Sequence, residues 1–403
     1  KYKMLTPSVS LLASIAGMLL LLRLKLHPGI AIFAGSLIIS LLVLPLNNTP
    51  PLLIQSLLNY QTLRLLLIIA SALTLSGLME QKGLLAQLAT TLEKIAPKLA
   101  VHLIPAVIGF VPMPAGALVS ATASRDSLKR LGITPEQSTF INYWFRHLWE
   151  FCLPVYPAII ATSVILAVPL SSVVMTLLPG TFLAIITGAA ISYTILKKIP
   201  GTKGRPPQNI AYNLLKACWP ILLLVLSILL GLDAMIAFPL VLLLLALQQR
   251  TKWPELAKAL KYGLDLKIMF FLYAVMLYKT TIESANIAGA VFSDMQIIGL
   301  PIVVILVILP FLIAFITGNS MAFVGITFPL LVPSIMLPTG INSYALLLAY
   351  TSGIIGLLVT PLHLCLILSA EYFKASLAKI YKYILPPSIA IEAVVIVLYY
   401  VAF

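Results

Sequence analysis

Ser138-Thr139-Phe140-Ile141-Asn142-Tyr143-Trp144-Phe145-Arg146-His147-Leu148-Trp149-Glu150-Phe151-Cys152-Leu153-Pro154-Val155-Tyr156-Pro157 is an apolar, aromatic stretch that carries an arginine, a histidine and a glutamate within five positions. The pattern predicts a helix on which Asn142, Arg146 and Glu150 recur every four residues and stack on one face. Pro154 and Pro157 predict that the helix loosens there, since each proline removes an amide donor and crowds the preceding turn. Nowhere else in the apolar segments do charges gather in this way. A charge at the centre of a bilayer costs about 2.5–3.5 kcal/mol on insertion scales, so such residues line a pathway or pair with one another. A self-neutralised Arg146–Glu150 pair that only locks packing is the plain alternative to a role in transport or ion coupling.

The rest of the chain makes a bilayer the right setting. Of its 403 residues 61% are hydrophobic and 9% charged, a balance no soluble protein of this length shows. Successive apolar runs predict an all-α polytopic membrane protein with no soluble domain. The first run, Leu11 to Leu22, reads as a retained span, not a cleaved signal. Cys152, Cys218 and Cys365 match no metal or redox spacing and read as packing residues.

Working outward, spans are expected near 8–22, 28–46, 63–79 and 173–196, with a basic amphipathic segment between Glu80 and Lys98 and a loop from Asn47 to Thr62. Residues 99–124 form two arms around Val111-Pro112-Met113-Pro114-Ala115-Gly116. Each arm is too short to cross a core about 30 Å thick at about 1.5 Å per residue, which predicts a re-entrant hairpin. The charged stretch belongs to a broken helix over 138–168. A polar, basic linker at 197–213 then divides the chain, and the same order recurs in residues 214–403. Spans near 214–231, 234–249, 267–282 and 386–402 accompany a second hairpin at 299–332, broken at Thr317-Gly318-Asn319-Ser320. A second broken helix, 342–372, is interrupted at Thr360-Pro361.

Basic residues explain the net charge of +14 without nucleic acid, because 21 of the 26 Lys and Arg fall in alternate connections. By the positive-inside rule those connections, the linker among them, are cytoplasmic, and the chain is a multi-pass protein of a prokaryotic plasma membrane. Each half, 1–196 and 214–403, then holds five spans and one hairpin. Five is odd, so the halves have opposite topology: an inverted repeat, the common plan of secondary transporters.

The four interruptions are expected to converge at midplane. Free amides at half-helix N-termini suit an anion, and unwound carbonyls suit sodium. Candidate substrate ligands are Pro114, Ala115, Gly116, Asn142, Arg146, Tyr156, Thr317, Gly318, Asn319, Ser320 and Thr360. Arg146 offers a carboxylate or phosphate a planar fork of donors. His147, Glu150, Asn319 and His363 are candidates for ion coupling, by proton or sodium. Sodium is expected at Gly318, Asn319 and Thr360, with no other cofactor. Trp144 and Trp149 read as core or interface aromatics.

Along Gly109-Phe110-Val111-Pro112-Met113-Pro114-Ala115-Gly116-Ala117 and Ile141-Asn142-Tyr143-Trp144-Phe145-Arg146-His147, the sequence resembles a family of prokaryotic membrane proteins catalogued only as a domain of unknown function and grouped in the ion transporter superfamily. The resemblance covers nearly the whole chain. It implies relatives among sodium/dicarboxylate, citrate, gluconate and arsenite carriers. It also implies a homodimer of scaffold and transport domains in which the transport domain moves as an elevator. The dicarboxylate branch carries Ser-Asn-Thr at each hairpin tip. Here Asn319-Ser320 is partly similar, and the first tip reads Pro-Met-Pro-Ala-Gly.

The expected function is therefore a secondary active transporter of a small organic anion, driven by sodium or protons. A cation/proton antiporter centred on Glu150 and His147 is the rival carrier. An intramembrane enzyme is disfavoured, because no paired aspartates lie in spans and neither His-Glu-x-x-His nor Gly-x-Ser-x-Gly occurs.

Overall fold

The structure, a computed structural model, describes residues 6–92, 97–113, 116–197, 199, 209–297 and 299–401. The first half runs α1 (Pro7–Arg23), α2 (Pro28–Val43), α3 (Thr49–Leu58), α4 (Tyr60–Gln81), α5 (Leu84–Leu92), α6 (Pro97–Ile108), α7 (Gly116–Leu131), α8 (Pro135–Arg146), α9 (Pro157–Leu166) and α10 (Leu170–Leu196). A 3-10 turn, Leu148–Phe151, lies between α8 and α9. The second half runs α11 (Ile210–Leu229), α12 (Ala234–Gln248), α13 (Trp253–Gly263), α14 (Leu266–Ser284), α15 (Ile287–Ile297), α16 (Ile302–Thr317), α17 (Ser320–Ile335), α18 (Ser343–Val359), α19 (Leu364–Phe373) and α20 (Leu377–Val401). A two-stranded turn, Met336–Leu337 against Gly340–Ile341, separates α17 from α18.

A repeat appears as an exchange of neighbours between halves. Helix α2 packs on α14 and α12 on α4; α1 packs on α15 and α11 on α5; α3 packs on α14 and α13 on α4. Helix α7 meets α19 as α17 meets α9, and α10 meets its own counterpart, α20. Local detail repeats as well. Helices α9 and α19 are both 10 residues long and close on a left-handed non-glycine residue, Ala167 at φ 55° and Lys374 at φ 56°.

Start signals in the sequence account for many of the helix boundaries. Pro7, Pro28, Pro135 and Pro157 open helices at positions where an amide has no intrahelical partner. Asn59, Asp233, Asp265, Asn319 and Asn342 cap helix N-termini through their side chains. Thr134 and Gln137 form a reciprocal capping box at the start of α8.

Some boundaries differ from the sequence expectation. The Asn47–Thr62 loop contains α3, because Pro50 and Pro51 occupy its first turn, where a missing N–H costs nothing. The connection after Glu283 contains α15. The last helix begins at Leu377 and carries Pro386 and Pro387 inside it. Part of the amphipathic segment, including Lys94, and most of the linker lie outside the described residues.

By length and composition five described segments can cross a membrane: Tyr60–Gln81, Leu170–Leu196, Ala211–Leu229, Ser343–Phe373 and Leu377–Val401. The other apolar helices, α1, α2 and α12 among them, have 10–17 residues. Helix α4 and the α18–α19 pair are mostly buried, whereas α10, α11 and α20 turn most of their apolar surface outward. The α18–α19 pair and α4 therefore sit inside, with α10, α11 and α20 toward the periphery.

Candidate substrate site

Each broken helix is held to the hairpin arm before it by two hydrogen bonds, and the pattern is the same in both halves. In the first half the Trp149 Nε1–H donates to the Ala106 carbonyl at 2.7 Å and the Tyr156 hydroxyl to the Gly109 carbonyl at 2.6 Å. In the second, the Thr360 hydroxyl donates to the Phe315 carbonyl at 2.6 Å and His363 Nδ1–H to the Gly318 carbonyl at 3.1 Å. The acceptors are late carbonyls of α6 and α16 and of the residues that follow them, groups a helix C-terminus leaves without partners. Tip and break are thus pinned together twice over.

Gly109 and Gly318 both sit where backbones touch. A Cβ at Gly109 would lie 2.3 Å from the Arg146 carbonyl oxygen, and one at Gly318 3.0 Å from the Leu362 backbone. Gly318 also has φ 62°, the left-handed conformation that ends α16.

The first helix breaks earlier than its prolines predict. Helix α8 ends at Arg146, and the cause is the next side chain. His147 Nδ1 lies 2.5 Å from the Tyr143 carbonyl, the acceptor its own amide would use in an α-helix, while that amide moves to Trp144 O at 3.1 Å. The backbone tightens into the 3-10 turn. Asn142 and Arg146 share a helical face as expected, but Glu150 reaches Arg146 from that turn.

Arg146 is 2% exposed. Its Nη1 lies 3.6 Å from Glu150 Oε1 and its Nη2 3.5 Å from the Met113 carbonyl, contacts at or beyond the limit of a good hydrogen bond. Its Nε has no hydrogen-bond partner among the described residues. The guanidinium lies against the first tip: a Cβ on Gly116 would fall 2.3 Å from Nη2 and 2.8 Å from Nε. One turn earlier, the buried Asn142 donates from Nδ2 to the Ala117 carbonyl at 3.0 Å and to Ser369 Oγ at 2.9 Å, leaving Oδ1 unpartnered among those residues. Among the described residues the site thus holds a buried cation with spare donors beside a spare acceptor.

The two halves meet at histidine. His147 Nε2 and His363 Nε2 are 3.0 Å apart, and Glu150 Oε1 is 3.7 Å from His147 Nε2. Cys365, set aside by its sequence spacing, brings its Sγ within 4.8 Å of both imidazoles.

Of the residues singled out in the sequence, Gly116, Asn142, Arg146, His147, Glu150, Tyr156, Gly318, Thr360 and His363 belong to this connected set. The Tyr156 and Thr360 hydroxyls are donated to backbone. Asn319 Oδ1 accepts from the Ala322 amide at 3.0 Å, capping α17, and the Thr317 hydroxyl donates to Ile313 O at 2.7 Å. Ser320 opens α17 beside them. Pro114 and Ala115 lie outside the described residues. Sequence reading alone missed Gly109, Met113, Ser369 and Cys365. Gly109 stands three residues before Pro112, Met113 lies within the first tip and Cys365 stands two residues after His363, whereas Ser369 carried no local signal.

The chain aligns with the crystal structure of the YdaH transporter of Alcanivorax borkumensis over 97% of both chains, with a TM-score of 0.66 and 15% sequence identity. That likeness shows that the two chains share a fold. A comparison with curated proteins returns no match. Residues 6–402 match a family described as "Protein of unknown function (DUF401)", and the chain belongs to that family.

Proposed function

We propose that the protein is a secondary active transporter that binds a small anion at Arg146 and couples its movement to sodium or protons. One observation carries the reading: a buried guanidinium that, among the described residues, is unpartnered at Nε and only loosely held at its other nitrogens, packed against a hairpin tip. Leaving such donors unmade inside a protein costs about 1–3 kcal/mol per group, more for a charge, unless a ligand fills them. A carboxylate or phosphate fits the fork. Glu150 then serves as the counter-charge when no anion is bound.

The architecture supports the same reading. Broken helices and hairpins that meet at one point are the usual setting of an alternating-access site. A groove lined by Glu80, Thr90, Met113 and Thr122 runs beside the first tip and offers an approach. In this reading α6–α9 and α16–α19 move as one transport unit, an elevator, against the remaining helices in a homodimer. The basic connections face the cytoplasm of a prokaryotic cell.

The test is the melting temperature of the purified protein across a panel of small carboxylates and phosphates, each in sodium and in potassium, at two pH values. An anion at a hundred times its dissociation constant stabilises by about 2.7 kcal/mol, well within reach of the measurement. Stabilisation that requires sodium identifies a sodium symporter, and one that strengthens at low pH identifies proton coupling. If no anion acts while a cation alone does, the reading fails and antiport replaces it.

A further inference from the structure

We propose that His147, His363 and Cys365 form a binding site for a divalent transition-metal ion such as zinc, joining the two broken helices. The geometry does not depend on the transport reading and stands if that reading fails. A carbonyl oxygen can only accept, so the contacts to Tyr143 O at 2.5 Å and Gly318 O at 3.1 Å place a proton on Nδ1 of each ring. In the neutral rings both Nε2 atoms then carry lone pairs, and these face each other at 3.0 Å. Two lone pairs at that distance repel unless a cation lies between or beside them.

The arrangement is that of a metal site. Two nitrogens held about 2.0–2.1 Å from a tetrahedral zinc sit about 3.3 Å apart, close to the spacing here. The rings are inclined by 68° and do not stack, so both can aim a lone pair at one ion. The Cys365 sulfur is the third donor, with all three ligand atoms within 4.8 Å of one another. Each histidine already has the support that ligating histidines use, an Nδ1–H donated to a backbone carbonyl. Imidazole and thiolate select zinc-like ions over sodium, magnesium or calcium, which prefer oxygen. Three protein ligands leave a fourth position for an exchangeable one. On binding, the thiol proton is released to solvent and the sulfur coordinates as thiolate.

Such an ion takes one ligand from the end of α8 and two from the start of α19, so it ties the first half to the second. It selects the conformation in which the two breaks touch.

Cobalt(II) titration of the purified full-length protein tests the site through its spectrum, without any transport assay or anion. The expected result is one equivalent of tetrahedral cobalt with a thiolate charge-transfer band, displaced by zinc. Cys365→Ser should abolish that band, and Cys218→Ser, on α11, should keep it. Zinc affinity should fall in Cys365→Ser by more than the roughly 10–100-fold lost when only a ligand's hydrogen-bond partner is removed. Zinc should also raise the melting temperature of the wild type, which needs no variant to fold. Absence of a cobalt spectrum in the wild type, or a band unchanged in Cys365→Ser, overturns the proposal. The first outcome would leave a shared proton between the two rings.

Discussion

The Nε2 atoms of His147 and His363 face each other at 3.0 Å although the residues stand 216 positions apart and belong to opposite halves of the chain. Each ring is also fixed from behind, His147 by Tyr143 O in its own helix and His363 by Gly318 O at the second hairpin tip. The contact therefore brings the first break, the second break and the second tip together at one point. Arg146 adds the first tip, through Met113 and Gly116. A ligand at Arg146 has a physical route to every interrupted element.

Arg146→Lys should keep the fold and lose the ligand. The ammonium preserves the charge beside Glu150 but cannot present a planar fork. Loss of a hydrogen bond to a charged group, about 1.5–3 kcal/mol, corresponds to roughly 10–100-fold weaker anion binding. Ligand-dependent thermal shifts measured side by side with wild type check this.

Gly116→Ala should weaken the same ligand without removing any polar atom. Its Cβ would fall 2.3 Å from Arg146 Nη2, so the guanidinium must turn away from the tip. Overpacking of this kind costs about 1–3 kcal/mol. The expected signature is a modest fall in melting temperature together with a loss of anion response.

Tyr156→Phe should destabilise by about 1–3 kcal/mol, because it strips the buried Gly109 carbonyl of its donor. Gly356→Ala should cost as much or more, since its Cβ would sit 2.4 Å from the Phe311 backbone oxygen, which cannot rotate aside. Both values are read from thermal or denaturant unfolding in a fixed detergent.

Acid should loosen the Lys82 end of α4. The Lys82 ammonium lies 2.7 Å from Glu255, a bridge between the two halves. Its hydrogen bond, with that of the Lys252 backbone, holds the Glu255 carboxyl below its usual pKa. A depressed carboxylate contributes stability that is present above its unfolded pKa and lost as pH falls through the folded value. Glu255→Gln should therefore flatten the acid side of the melting-temperature profile and leave the neutral side little changed. Salt should shrink the difference, because Glu255 is exposed.

The architecture was legible because its markers are local. Pro112, Gly318 and Pro361 announce their interruptions in the chain itself, and apolar periodicity announces the helices between them. The end of α8 was not legible from Pro154. What stops the helix is a side-chain bond from His147 to Tyr143 O, a competition that hydropathy does not register. Cys365 was unread for a different reason: its spacing to Cys152 and Cys218 means nothing, His363 stands only two residues before it, and its second histidine partner, His147, comes from tertiary contact. The short helices α3 and α15 were hidden by polar residues and, in α3, by prolines at a helix start.

Uptake into proteoliposomes of the anion that stabilises the protein tests the central claim most directly. Wild-type protein should accumulate that anion above its outside concentration when a sodium or proton gradient is imposed, and Arg146→Lys should not. Flux that only equilibrates the anion, or that is the same in Arg146→Lys, would contradict the account.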